Sequence, residues 1–356
     1  MYAIIMAGGR GTRFWPLSRD RMPKHLLAIT GKETIIQQTI ERIRPLIPER
    51  DVYIITNKDH YDEIRRQCPD VPKENIIAEP MGRNTAPCIG LAATYIKRRS
   101  GDGVMAVLPA DHLITDERRF LETLAVGDKM ARRGPHLITI GIGPTAPETG
   151  YGYIEEGEPL TSIDGHTIYR VASFREKPDR ATAEAFIRSG SFYWNSGTFV
   201  WKASTIMEAI GRFLPDLYDG LETIGQAIGT SDENDVIRRV YESIDAVSID
   251  YGIMEKWEGP LLIKGRFGWN DIGSWDALYD VFPKDQAGNA VSGRAVTVKS
   301  HDSVVYSPNK LVAMVGVDNL VVVETDDALL ICDRNACQDV KEIVRILETE
   351  KLTKFL

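Results

Sequence analysis

The sequence has little cysteine and no long apolar run. Its four cysteines, Cys68, Cys88, Cys332 and Cys337, form no Cys-x-x-Cys pair, which excludes a zinc ribbon or a thioredoxin-like motif. Cys332 and Cys337 lie near enough in sequence to meet, but no export signal is visible and reduced thiols are expected. No apolar stretch approaches the ~18 residues of a membrane span, and no charged segment precedes the apolar run at Ala3, so a cytoplasmic protein is expected. Excess positive charge is also missing. A net charge of -8 and a pI near 5.4 argue against a general nucleic-acid surface. Nothing reads as low-complexity linker, and the 43% hydrophobic and 26% charged composition is that of an ordinary globular chain. At 356 residues it exceeds one average domain, so a large α/β domain with a small appendage is expected.

What is present begins at once. Ala3 to Ala7 is a buried-strand run that breaks into Gly8-Gly9-Arg10-Gly11. Three glycines in four residues let the backbone turn sharply and bring bare N–H groups to a ligand, although a tight turn alone explains them equally well. Arg13, Arg19, Arg21 and Lys24 follow, a local cationic site in an acidic protein. That suits a small polyanion. Pro16 and Pro23 keep the segment out of a regular helix. Two familiar glycine motifs are excluded: no Lys-Ser/Thr pair completes a P-loop, and Phe14 stands where a dinucleotide fingerprint needs a small residue.

Apolar periodicity predicts a helix from Ile35 to Ile43, a strand over Val52–Thr56, a short helix over Tyr61–Cys68 and a strand over Asn75–Ala78. A helix over Ala86–Arg99 and a strand over Gly103–Leu108 follow. Strands alternating with helices imply a Rossmann-like, mostly parallel sheet flanked by helices, with ligands beyond the strand ends. The glycine loop, Glu79-Pro80 and Pro109-Ala110-Asp111 all follow strands and are expected to share one cleft. Further strands are read over Leu137–Ile142, Val171–Glu176 and Phe199–Trp201, with helices over Ala181–Ser189, Ala203–Phe213 and about Asp216–Ile228. After Pro283 the texture changes to short strands in which Leu311, Leu320 and Leu329 recur every nine residues, the mark of a small solenoid or meander. The last predicted helix is Gln338–Thr349. The division is therefore 1–283 and 284–356.

The string Gly8-Gly9-x-Gly11-x-Arg13-x-x-Pro16-Leu17-Ser18, followed by Pro23-Lys24, resembles the signature of the sugar nucleotidylyltransferases. Phe14-Trp15-Pro16-Leu17-Ser18-Arg19 is similar to the mannose-1-phosphate guanylyltransferase (GDP-mannose pyrophosphorylase) branch. The family usually has Gln after the lysine; here it is His25. The resemblance runs through nearly the whole chain. It implies a nucleotide-diphospho-sugar transferase fold, a short left-handed C-terminal β-helix, and self-association through that segment as a homodimer.

It also implies roles. Gly8, Gly9, Gly11, Arg13 and Lys24 would hold the nucleotide phosphates. Leu108-Pro109-Ala110-Asp111-His112 and Asn270-Asp271-Ile272-Gly273-Ser274-Trp275 resemble the metal motifs, so Asp111 and Asp271 would hold Mg²⁺, which prefers oxygen ligands. Singly each aspartate reads equally well as a turn or cap residue, and His112 as structural. Glu79-Pro80-Met81-Gly82-Arg83-Asn84-Thr85 resembles the guanylyl form of the segment at the nucleotide end, with Pro109, although Asn84 and Thr85 also suit a helix cap. Phe174-Arg175-Glu176-Lys177-Pro178 resembles the segment whose lysine meets the sugar phosphate and whose glutamate meets sugar hydroxyls. Tyr193-Trp194-Asn195 resembles the segment whose asparagine orients the sugar, and Gly150-Tyr151-Gly152-Tyr153 offers backbone near the ring. The implied reaction is GTP + α-D-mannose 1-phosphate giving GDP-mannose + diphosphate, part of GDP-mannose biosynthesis. Its rivals are the same chemistry on another NTP or hexose 1-phosphate, and a non-catalytic subunit that only binds GDP-mannose.

Overall fold

The computed structural model describes every residue of the chain except Arg10. The chain divides into two compact units. The first comprises Met1–Gly8, Ile40–Ala110 and Ile114–Trp269; the second comprises Gly9–Thr39, Asp111–Leu113 and Asn270–Leu356.

The first unit is built on a nine-stranded sheet. Its strands in chain order are β1 (Tyr2–Ala7), β2 (Val52–Asn57), β3 (Ile76–Glu79), β4 (Val104–Pro109), β5 (Ile138–Ile142), β6 (Tyr153–Ile163), β7 (His166–Arg175), β8 (Phe192–Lys202) and β9 (Leu261–Gly265), arranged β3-β2-β1-β4-β8-β5-β9-β7-β6. β1 to β4 are parallel, as the alternation with helices predicts, and β5 is parallel to β9. β8 runs antiparallel to β4 and β5, and β7 antiparallel to β6 and β9. The buried strands β1 and β2 are almost uniformly apolar, which is what covering both faces of a sheet requires.

One helix, Thr85–Ser100, is buried from Ala86 through Ile96, with Ala86, Ile89, Leu91, Ala92, Ala93 and Ile96 fully enclosed. A helix apolar all round must sit inside a core. Small residues permit this: a Cβ on Gly90 would come within 2.5 Å of Leu221 in the helix Pro215–Ala227.

The apolar pattern does not predict β6, β9 or the helices Glu117–Arg132 and Glu233–Ser243. β6 carries Glu155, Glu156, Gly157, Glu158 and Pro159, and its register against β7 is interrupted repeatedly, so no clean alternation shows. β8 is much longer than the Phe199–Trp201 core expected from the sequence. Tyr193–Gly197 is therefore strand, which fixes Asn195 on a rigid element.

In the second unit four strands form one sheet: β10 (Ala290–Val298), β11 (Val304–Val315), β12 (Leu320–Glu324) and β13 (Leu329–Asp333). β10, β11 and β12 are parallel, stacking Ala290 on Val304 and Val304 on Val321, and β13 returns antiparallel. This stacking of successive turns is β-helix geometry. The nine-residue leucine recurrence is not the rung: Leu311 and Leu329 are 63% and 57% exposed, and the inward residues are Val304, Val321, Val323 and Leu330.

The signature segment is packed into this same unit. Phe14, Leu27 and Ile35 share a core with Trp275, Ala290, Val304, Val321 and Val340. Trp275 is wholly buried, tilted against Phe14 at 5.1 Å between ring centroids, and donates Nε1–H to the Trp15 carbonyl at 3.0 Å. An aromatic buried this way is worth roughly 3–5 kcal/mol relative to alanine. The segment after Lys284 thus braces the glycine-rich loop of its own chain.

Candidate active site

Two clusters hold the residues singled out from the sequence. In the second unit, Gly11 lies at φ 61, and a Cβ there would meet the Lys24 Cβ at 2.7 Å and the Lys24 amide nitrogen at 2.9 Å. Conformation and space both demand glycine. Ser18 Oγ donates to the Gly11 carbonyl at 2.8 Å, closing the loop on itself. Pro23 is extended and starts the short 3₁₀ turn Lys24–Leu26, which turns the Lys24 ammonium inward although only 5% of the residue is exposed.

Lys24 Nζ donates to Asp111 Oδ2 at 2.8 Å and to the Asp271 carbonyl. Desolvation opposes ionisation of Asp111, but Lys24, with His112 and His25, more than offsets it and holds the carboxyl below the usual carboxylate range. Asp111 is thus an anion in this cluster and does not cap a helix. His112 lies 4.0 Å from its other oxygen.

Asp271 sits in a strained turn: Asn270 Oδ1 accepts from the Ile272 amide, and Ile272, β-branched and fully buried, is at φ 43. A Cβ on Gly273 would lie 3.1 Å from Asp271 Oδ2 and 3.5 Å from Arg13 Nη1, so carboxylate and guanidinium share this corner. Arg13 Nη1 also donates to Gln338 Oε1 at 2.9 Å. Gly9 belongs to this unit, with open space at its Cα. Asp111 and Asp271 supply hard oxygen donors, the chemistry Mg²⁺ selects. Among the described residues no group of three or more His, Cys, Asp or Glu is placed to hold a metal ion.

The first unit holds Gly8, Glu79, Asn84, Thr85, Pro109, Gly152, Glu176, Lys177 and Asn195. Gly8 faces Glu79: a Cβ there would lie 3.8 Å from Glu79 Oε2. Pro109 ends β4, and the following amide, of Ala110, bonds the Met6 carbonyl at the end of β1. Glu79 ends β3, is buried, and accepts from the Tyr241 hydroxyl at 3.0 Å. Asn84 adopts φ 70 and accepts from the Thr85 amide at 2.9 Å, while Thr85 Oγ1 accepts from the Ile249 amide at 2.8 Å. Asn84 is thus the cap of the helix Thr85–Ser100, whereas Thr85, its first residue, ties it to Ile249; together with Arg83 Nε–H donating to the Tyr241 carbonyl at 2.7 Å, these bonds pin the loop after β3.

Burial pushes the Glu79 carboxyl up to about 7, with the Tyr241 hydrogen bond partly opposing it. Below its ordinary value near 4.5 the carboxyl is protonated in folded and unfolded chains alike, whereas between 4.5 and 7 the unfolded chain loses the proton first. Stability from this group therefore falls as pH rises through that window. Glu79→Gln, which keeps an acceptor for Tyr241, is expected to exceed the parent in stability by about 1–3 kcal/mol at pH 8 and to match it below pH ~4.5 in denaturant titrations.

The remaining residues converge on Gly152. The Asn195 amide donates to the Gly152 carbonyl at 2.8 Å, and a Cβ at Gly152 would stand 2.3 Å from Glu176 Oε2. That oxygen is buried with no hydrogen-bond partner among the described residues, while Oε1 pairs with Lys177 Nζ at 2.9 Å. A buried, unpaired carboxylate oxygen calls for a donor such as a hydroxyl. Lys177 itself is at φ 48, an uncommon conformation for a lysine.

Sequence reasoning missed Asp250. It accepts from Asn195 Nδ2 at 2.8 Å, and burial followed by the nearby Glu176 charge pushes it up to about 6. Asn195 Oδ1 meanwhile accepts from the Gly197 amide at 3.1 Å. Also missed was an aromatic group in which Tyr151 stands edge-on to Trp194 and Trp269, at 5.2 and 5.3 Å between centroids.

A glycine loop after the first parallel strand, a buried lysine paired with an aspartate, and a polar cluster with an unmet acceptor define an α/β protein suited to a phosphorylated, hydroxyl-bearing ligand. The chain belongs to the nucleotidyl transferase family, whose model matches residues 2–288, and residues 293–347 match a mannose-phosphate isomerase/GMP-like β-helix domain. It is 41% identical to a mannose-1-phosphate guanylyltransferase of Klebsiella pneumoniae over 99% of this chain and 75% of that protein. It is 37% identical to the alginate biosynthesis protein AlgA of Pseudomonas aeruginosa, over 98% of this chain and 73% of that one. Among solved structures, one described as mannose-1-phosphate geranyltransferase from Thermus thermophilus superposes with a TM-score of 0.87 at 36% identity, covering 98% of this chain and 99% of that one.

Proposed function

We propose that the protein transfers a guanylyl group from GTP to α-D-mannose 1-phosphate, giving GDP-mannose and diphosphate. The observation that carries the reading is the buried, unpaired Glu176 oxygen beside Gly152, Lys177 and Asn195, in a chain 41% identical to a mannose-1-phosphate guanylyltransferase. In this reading the sugar phosphate is already an anion near neutral pH, so no general base is required. Catalysis is alignment and charge neutralisation about the α-phosphorus.

Gly8, Gly9 and Gly11 would offer backbone N–H groups to the triphosphate, and Arg13 and Lys24 would neutralise the departing diphosphate. Glu79, Asn84, Thr85 and Pro109 would shape the nucleotide end. Lys177 would steer the attacking phosphate oxygen, with Glu176 and Asn195 on the sugar hydroxyls. Asp250 would hold the Asn195 amide in one orientation, leaving its oxygen toward Gly197. Asp111 and Asp271 would hold Mg²⁺, which when bound neutralises phosphate charge.

Two further expectations stand as part of this reading. The protein acts in the cytoplasm; no described helix is long and apolar enough to cross a membrane. It acts as a homodimer through the segment 284–356, where Val296, Val298, Leu311, Val315, Leu329 and Ile331 are all more than half exposed.

The base assignment is tested by diphosphate release with different nucleotides. GTP should exceed UTP and dTTP in kcat/KM by at least about tenfold, some 1.4 kcal/mol. Equal use of UTP would overturn the base and leave the reaction class standing.

A further inference from the structure

Two cysteines outside the proposed chemistry lie beside the phosphate loop. Cys332 in β13 and Cys337 in the following 3₁₀ turn Arg334–Asp339 have their sulfur atoms 3.8 Å apart. Cys337 is 2% exposed and Cys332 is partly exposed, so a small oxidant meets Cys332 first. The hydrogen bond between the two thiols lowers Cys332 and raises Cys337, which makes Cys332 the readier thiolate. The other two cysteines, Cys68 and Cys88, are each 5% exposed and do not compete. Gln338, the residue after Cys337, is the one whose side-chain oxygen accepts from Arg13 at 2.9 Å.

We propose that Cys332 and Cys337 form a reversible disulfide on exposure to a hydroperoxide, and that closing it draws Gln338 off Arg13 and slows the enzyme. A disulfide needs its sulfurs about 2.05 Å apart and they stand 3.8 Å apart here, so closure pulls on the turn that carries Gln338. The chemistry balances. The Cys332 thiolate attacks the peroxide, forming S–O as O–O breaks and releasing an alcohol or water after proton uptake. The Cys337 sulfur then attacks Cys332, forming S–S as S–O breaks, and its proton leaves with the oxygen as water. Two thiols are oxidised, the peroxide is reduced, and a dithiol reverses the change by exchange.

The effect on turnover rests on the role proposed above for Arg13; the bond itself does not. The test treats the parent, Cys332→Ser, Cys337→Ser and Gln338→Ala with tert-butyl hydroperoxide and then dithiothreitol. Trypsin cuts after Arg334, between the two cysteines, so a disulfide links the peptides 311–334 and 335–341.

The linked pair is expected in the parent and in Gln338→Ala, and in neither serine variant. In the parent kcat/KM for GTP should fall roughly threefold to tenfold, the size of one lost side-chain hydrogen bond, and recover with dithiothreitol. Gln338→Ala should start at the lowered value and fall no further. Independently of turnover, Arg13 should react faster with phenylglyoxal, read by mass, once the parent is oxidised. Absence of the linked peptides overturns the disulfide. Linked peptides with unchanged Arg13 reactivity overturn the coupling. Faster Arg13 modification without any turnover of GTP supports the switch and counts instead against the proposed activity.

Discussion

Arg13→Ala is expected to lower kcat by about 10²–10³, or roughly 2.7–4 kcal/mol, with little change in KM for GTP. Arg13 is set by its hydrogen bond to Gln338 and by the turn that carries Asp271, so its guanidinium is in place before any substrate arrives. A cation held in advance acts most strongly where charge develops, on the departing diphosphate, because no reorganisation is then required. Steady-state kinetics separates the alternatives. A rise in KM at constant kcat would make Arg13 a binding residue only.

Gly152→Ala should be nearly as damaging, through the sugar. The added methyl would stand 2.3 Å from Glu176 Oε2 and 3.3 Å from the Asn195 Cβ, so the carboxylate must swing away. A displacement of about 1 Å at a positioning group costs on the order of 10²-fold, and kcat/KM for mannose 1-phosphate should fall by that factor. GTP affinity, measured by calorimetry without the sugar phosphate, should be unchanged. If GTP binding weakens in parallel, the substitution has disturbed the fold more broadly and the assignment of Gly152 to the sugar fails.

These residues were legible because their identities are dictated locally. Gly11 is required by its positive φ and by the Lys24 backbone against it, and Lys24 is placed by the proline before it; such demands fall on neighbouring residues and leave a contiguous string. The strands β1, β2 and β4 were equally plain, since a strand covered on both faces is an apolar run. Asp250 and Tyr241 left no such trace. Each meets its partner, Asn195 or Glu79, from a distant part of the chain, and neither sits in a recognisable string.

The C-terminal repeat is legible as a solenoid, but its inward residues are not, for a related reason. Of the leucines that stand out by spacing, Leu311 and Leu329 face outward, while the rungs are aligned by valines at unequal intervals. Nor does a sequence show that Gln338 reaches back to Arg13. The segment expected to serve assembly also packs on the glycine-rich loop: its Ala290, Val304, Val321 and Val340 share a core with Phe14 and Trp275, and its Gln338 accepts from Arg13.

In the proposed reaction GTP is cleaved only when a sugar phosphate accepts the guanylyl group. The most direct measurement follows GTP and Mg²⁺ with the full chain by ³¹P NMR, with and without mannose 1-phosphate. No change is expected without the sugar phosphate, and with it one diphosphate for each GDP-mannose formed. Release of phosphate or diphosphate from GTP alone, or persistence of GTP in the complete mixture, would contradict that reaction.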